Sequence, residues 1–175
     1  ENVTTNLEIT FTNPSSSEST IFAQNYTHIN SVEVCGAVGT INGSNFRVDS
    51  VAQYTADNYV TEFHHVQNAT LSESNFPQLI SLYLLDDTNS QEFLVTFKDS
   101  NFLPVDGAII EVQRHYIQDG LFRSVEIPKT DGNGQTIAHL VLSDVTYTFL
   151  VYKDGVLLAT FDNKKAVCEN QCIIQ

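Results

Sequence analysis

The sequence predicts an all-β protein built as two antiparallel β-sandwich modules in tandem, and three observations predict it. Between Phe102 and Phe161 lie three alternating runs: FLPVDGAIIEVQRHY, GLFRSVEIPKTDGNGQTIAHLVL and VTYTFLVYKDGVLLATF. They are punctuated by Val-Asp-Gly, Thr-Asp-Gly-Asn-Gly and Lys-Asp-Gly turns, the pattern of antiparallel strands joined by tight turns. Nowhere does a capped apolar stripe of helical spacing reach ten residues. The chain has 175 residues and 42% hydrophobic content, with eleven Phe and seven Tyr to fill one large or two small cores.

The elements follow in order. In NLEITFTN, Leu7, Ile9 and Phe11 alternate with Glu8, Thr10 and Thr12, a strand with one buried face. Asn13–Ser19 is a polar loop. STIFAQNYTHI and SVEVCGAVGTI are the next strands, and Asn42-Gly43 is the dipeptide of a two-residue hairpin turn leading into NFRVDSVAQY. In VTEFHHVQNATL, Val60, Glu62, His64 and Val66 share one face, with Phe63 and His65 on the other. QLISLYLL is apolar over strand length, which suits a strand buried on both faces or a short helix. The boundary falls near Asp87–Glu92, giving modules 1–90 and 91–175. The second module continues with EFLVTFKD, then GAIIEVQRHY with Ala108, Ile110 and Val112 inward and Glu111, Gln113 and His115 outward. LFRSVEI, TIAHLVL, TYTFLVY and GVLLATFD complete it. The tail AVCENQCIIQ carries Ile173-Ile174, an apolar end that either completes its own sheet or adds to a neighbour's edge.

The second module resembles the carboxypeptidase-regulatory-like, or transthyretin-like, group of Ig-like domains. The residues that carry the resemblance are Pro104-Val-Asp-Gly-Ala108-Ile-Ile-Glu-Val112, the turn Thr130-Asp-Gly-Asn-Gly134-Gln, and Val145-Thr-Tyr147-Thr-Phe-Leu-Val151. They span about 70 of the 175 residues. The chain departs from the family pattern where Asp144-Val-Thr replaces the usual glycine before Tyr147. The resemblance implies a non-catalytic seven-stranded module of a secreted or surface protein for the second half; the first half resembles no family, and the fold expected for the whole is two Ig-like modules in tandem. The resemblance brings no binding site with it.

The formal charge is −13, from 21 acidic and 8 basic residues. Phosphate binding needs clustered Lys and Arg, so nucleic acid and anionic lipid are excluded as expected partners. No run of 18 apolar residues is present, so no membrane insertion is expected within this segment. The start at Glu1 rather than Met is read as processing of a signal peptide or trimming. Four N-x-S/T triplets place candidate glycans at Asn2, Asn25, Asn42 and Asn68. With 15 Asn in the chain, about three such triplets are expected by chance, so the number is no signal. Their confinement to residues before 71 is the signal, and it predicts a glycosylated first module and a bare second one. Cys35, Cys168 and Cys172 are an odd set. In an oxidising compartment, Cys168 and Cys172 close a small loop or Cys35 ties one of them to the first half, leaving one thiol over.

Chemistry-bearing motifs are weighed against bland readings. Asp131-Gly-Asn-Gly134 lacks the ligand pattern of a calcium loop, with Gln135, Thr136 and Leu142 at ligand positions. It reads as a hairpin turn with Gly132 and Gly134 at positive φ. Asp86, Asp87, Glu92, Asp57, Glu62 and Asp99 offer at most a weak calcium site between modules and read as solvated loop charges. No metal or other cofactor is expected. His64 and His65 point to opposite faces, and His28, His115 and His139 read as isolated. With no G-x-S-x-G, and with Cys35 in a strand context, no enzymatic activity is expected. The expected function is a non-catalytic structural protein of the extracellular, cell or virion surface. It would be a self-associating subunit of a filament or surface layer, joined through sandwich faces and edges and locked by the odd cysteine or a terminal strand. The alternative is a ligand- or glycan-binding adhesion ectodomain with Tyr54, Tyr59, Phe46 or Tyr116 as its platform.

Overall fold

The computed structural model describes residues 3–28, 31, 46–71, 79–142, 144–168 and 172–174. Among them the protein is all-β, with antiparallel sheets and no helix. Among the described residues, no helix is long and apolar enough to cross a membrane. The Asn42-Gly43 turn and the SVEVCGAVGTI strand lie outside the described residues.

The first four strands are β1 (Thr4–Thr12), β2 (Ser19–Thr27), β3 (Phe46–Thr55) and β4 (Glu62–Leu71), in sheet order β2-β1-β3-β4. β1 is central and pairs over its whole length with β2 and β3, from Thr4↔Thr27 to Thr12↔Ser19 and from Thr4↔Thr55 to Thr12↔Arg47. Alternation puts Phe46, Val48, Ala52 and Tyr54 of β3 on the buried face.

The remaining strands are β5 (Ser90–Thr96), β6 (Ile109–Tyr116), β7 (Leu121–Glu126), β8 (Gln135–Val141), β9 (Tyr147–Lys153), β10 (Val156–Lys164), β11 (Ala166–Cys168) and β12 (Cys172–Ile174). They form sheets β10-β9-β6-β7, β5-β8 and β11-β12. One apolar cluster draws on all three, a sandwich-like packing: Ile110, Val112, Tyr147, Phe149 and Val151 meet Phe93, Ala138 and Leu140, with Ala166 closing the end. Each is at most 5% exposed, and each large side chain buried this way contributes about 1.5–3 kcal/mol. The inward set Ala108, Ile110 and Val112 is as expected. Ile109 on the opposite face is also buried, because the other half of the chain covers it.

The turns have local causes. At Asp131–Gly134 the Asp131 Oδ1 accepts the N–H groups of Asn133 and Gln135, both at 2.9 Å. Gly134 has φ +70, and a Cβ there would meet the Phe97 carbonyl at 2.5 Å. Gly132, expected at positive φ, does not adopt it: the Asp131 side chain shapes the first part of the turn, so one left-handed residue completes it.

The expectation for QLISLYLL is overturned. Residues 79–85 form neither strand nor helix, and Leu79 is 92% exposed. Their backbone bonds go elsewhere: the Tyr83 N–H to the Tyr54 hydroxyl, the Leu85 N–H to the Glu62 carboxyl, and the Leu85 carbonyl to the Val60 N–H at 3.0 Å. With those groups satisfied by side chains, no ladder is needed. Both terminal strands are engaged within the chain. β1 is central in its sheet, and β11 pairs with β12.

Candidate functional site

The two halves meet along β4, which is where the chain gathers its unusual chemistry. β4 runs parallel to the segment after β7. The Ile127 N–H donates to the Phe63 carbonyl at 2.8 Å, and the Ile127 carbonyl accepts the His65 N–H at 3.1 Å and His65 Nδ1 at 2.9 Å. The β3–β4 register then shifts between Val48 and Ser50. Asn68 takes φ 53, and its N–H is capped by Asp49 Oδ1 at 2.8 Å, the geometry of a β-bulge. The bulge aims two consecutive side chains at the β9–β10 turn. Gln67 Oε1 accepts the Asp154 N–H at 2.9 Å, and Asn68 Nδ2 donates to the Asp154 carbonyl at 3.0 Å.

At the start of β4 lies a buried polar set. Glu62 and Glu126 are each 1% exposed, as is Tyr54. The Tyr54 hydroxyl donates to the Val125 carbonyl at 3.1 Å. Glu126 accepts the His139 N–H at 2.8 Å and His139 Nδ1 at 3.0 Å, with Glu92 Oε1 3.8 Å from the other ring nitrogen. Glu62 Oε2 has no hydrogen-bond partner among the described residues. Burial, and then the charge of Glu126, push the Glu62 carboxyl up to about 9, so it is neutral at pH 7. Burial also lowers His64, to about 4. At His139 burial acts to lower the basicity, but the bonds to Glu126 and the nearby Glu92 outweigh it and the imidazole is raised. What this arrangement does chemically is pin the halves and the 79–85 segment together through groups that stay uncharged or paired.

Next to it runs a groove. A cavity of about 230 Å³ between His65, Gln67, Ile109, Glu111 and Tyr152 adjoins an open polar groove of about 580 Å³ that includes Arg47, Asp49, Lys129 and Asp154. A third feature lies on the β6–β7 hairpin. Arg114 and Arg123 place their guanidinium carbons 5.2 and 5.6 Å from the centre of the Tyr116 ring. Tyr83 lies 6.3 Å from Tyr116, and Arg123 is ion-paired to Asp119.

The structure places the expected site residues as follows. Asn25 is exposed on the edge strand β2, and Asn68 sits in the bulge. Asn2, Asn42 and Cys35 lie outside the described residues. Cys168 is disulfide-bonded. Cys172 faces it in the β11–β12 register. Of the proposed platform, Tyr54 and Phe46 are buried at 1% and 7% exposure and cannot present a surface, because β3 turns both to the covered face. Tyr59 and Tyr116 are partly exposed. Glu62, grouped with the loop carboxylates, is an interior residue. His139 is not isolated but paired with Glu126, a contact 13 residues apart that no local spacing reveals. Comparison of the chain with protein-family models, with curated proteins and with solved structures finds no match.

Proposed function

We propose that this chain is a non-catalytic structural protein of the extracellular, cell or virion surface, a subunit that self-associates into a filament or surface layer. The observation that carries this reading is the grouping of large exposed apolar residues on separate parts of the second half. β10 exposes Val156, Leu157, Leu158 and Phe161, the β6–β7 hairpin exposes Ile117, Leu121 and Phe122, and β5 and β8 expose Leu94 and Ile137. Scattered apolar residues are ordinary on a surface; groups of them on sheet edges and faces mark association sites. N-linked glycans on the first half, at Asn2, Asn25 and Asn42, would keep that half free of contacts, while the fourth candidate, Asn68, has its amide on the Asp154 carbonyl. Joining by exchange of a terminal strand is not part of the proposal, since both terminal strands are paired within the chain. The second module as an Ig-like, transthyretin-like domain remains part of it.

The test is the native protein on reducing and non-reducing gels, with and without deglycosylation, beside negative-stain electron microscopy. Fibres or sheets with a glycan mass shift support the reading. A glycosylated, monodisperse monomer overturns it and favours a ligand-binding ectodomain, for which the 580 Å³ polar groove is the supporting feature.

A further inference from the structure

We propose that the β6–β7 hairpin of one copy docks on the outer face of β5 and β8 of a second copy, a head-to-tail contact that rests on the subunit reading above. The chain has three arginines, and two of them, Arg114 and Arg123, flank Tyr116 on this hairpin. From Gln113 to Ser124 the charged residues are Arg114, Arg123 and Asp119, a net of +1 in a chain of −13, so the remainder carries −14. Around the stack stand exposed apolar residues: Ile117 at 79% and Leu121 at 55% on the hairpin, and Leu79, Ile80 and Leu82 on the segment whose Tyr83 touches Tyr116. A Tyr- and Arg-centred patch with apolar surroundings has the composition of an interface anchor.

The acceptor is the surface that combines negative charge with exposed apolar side chains. From Val48 to Phe97 there is no Lys or Arg, and β5 lies in that stretch. Its outer face sets Leu94 opposite Ile137, 63% and 40% exposed, beside Glu92, whose side chain is 72% exposed. Asp86 and Asp87 stand just before the strand. The same face therefore offers apolar contacts for Leu121 and Ile117 and the Glu92 carboxylate for Arg114, Arg123 being paired to Asp119 within its own hairpin. His139, opposite Glu92, is held by Glu126 and adds no free cation. Hairpin and acceptor belong to different sheets of one module, so the contact is heterologous and propagates unless its rotation closes a ring.

The test is sedimentation velocity of the glycosylated full chain over a concentration series, with Arg114→Glu, Glu92→Arg and their equimolar mixture. Each variant alone sets like charge against like and is expected to need at least about tenfold more protein to assemble. The mixture pairs the acidic hairpin of one with the basic face of the other and restores wild-type assembly, which also shows both variants folded. Leu121→Glu gives the same loss independently of Arg114. Wild-type assembly with unimpaired Arg114→Glu, or a mixture that fails to recover, overturns this contact and leaves the subunit reading standing. A wild-type chain monomeric at every concentration overturns both.

Discussion

Asn68 and Asp154, 86 positions apart, are joined by a hydrogen bond of 3.0 Å from the Asn68 side-chain amide to the Asp154 carbonyl, while neighbouring Gln67 accepts the Asp154 N–H. Both backbone groups of one turn residue are thus read by the opposite half of the molecule. Asn68→Ala is expected to lower the unfolding free energy by about 0.5–1.5 kcal/mol, and Gln67→Ala by a similar amount. Because both act on one residue, a double-mutant cycle by chemical denaturation should give a non-zero coupling. Additive losses would show that the two bonds are independent.

Glu62 makes stability depend on pH. Its pKa is about 9 in the folded protein and 4.5 as the reference value. Between those values the folded state holds a proton that the unfolded state has released. The contribution of Glu62 is therefore fully present below the unfolded pKa and is lost progressively as pH rises to the folded pKa. His139, whose folded pKa is also raised, acts with the same sign: its contribution is present below 6.5 and lost as pH rises through the folded value. Urea titrations from pH 7 to 9, above the range in which the lowered His64 and His65 oppose the trend, should show this decline, and Glu62→Gln should flatten it. An unchanged slope in the variant would refute the assignment.

Gly134→Ala is expected to destabilise the second half by more than about 1 kcal/mol. The residue has φ +70, and the added Cβ would stand 2.5 Å from a backbone carbonyl. Gly132→Ala, with no positive φ and no atom within 4 Å, should be nearly neutral. Thermal melts of the two variants test the contrast.

Leu140→Ala and Leu79→Ser separate two apolar residues that look alike in sequence. Leu140 is fully buried and should cost about 2–5 kcal/mol. Leu79→Ser, at a position 92% exposed, should leave the unfolding free energy within about 0.5 kcal/mol of wild type. A large loss at Leu79 would mean that residues 79–85 are packed after all.

The strands were legible because alternation is a local property. Leu7 to Phe11, Ala108 to Val112 and Tyr147 to Val151 each show their face without reference to anything distant. QLISLYLL misled because its apolar run has no partner ladder, and its N–H groups at Tyr83 and Leu85 are satisfied by Tyr54 and Glu62. Those two residues carry the junction, yet nothing near them in sequence marks them as interior. Their burial is imposed by the other half of the chain. The hairpin arginines had the same difficulty. Arg114 and Arg123 are ordinary surface residues until the Arg114↔Arg123 register sets them side by side against Tyr116.

The central place of β1 has a mechanical consequence. Tension applied along Thr4–Thr12 loads the ladders to β2 and β3 together, nine paired positions on each side, because the strand must slide past both neighbours at once. Among the described residues, tension at β12 meets three ladder pairs to β11, the last of them at the disulfide-bonded Cys168. Along its strands, the first sheet therefore resists extension through hydrogen bonds alone, whereas the tail depends on its disulfide.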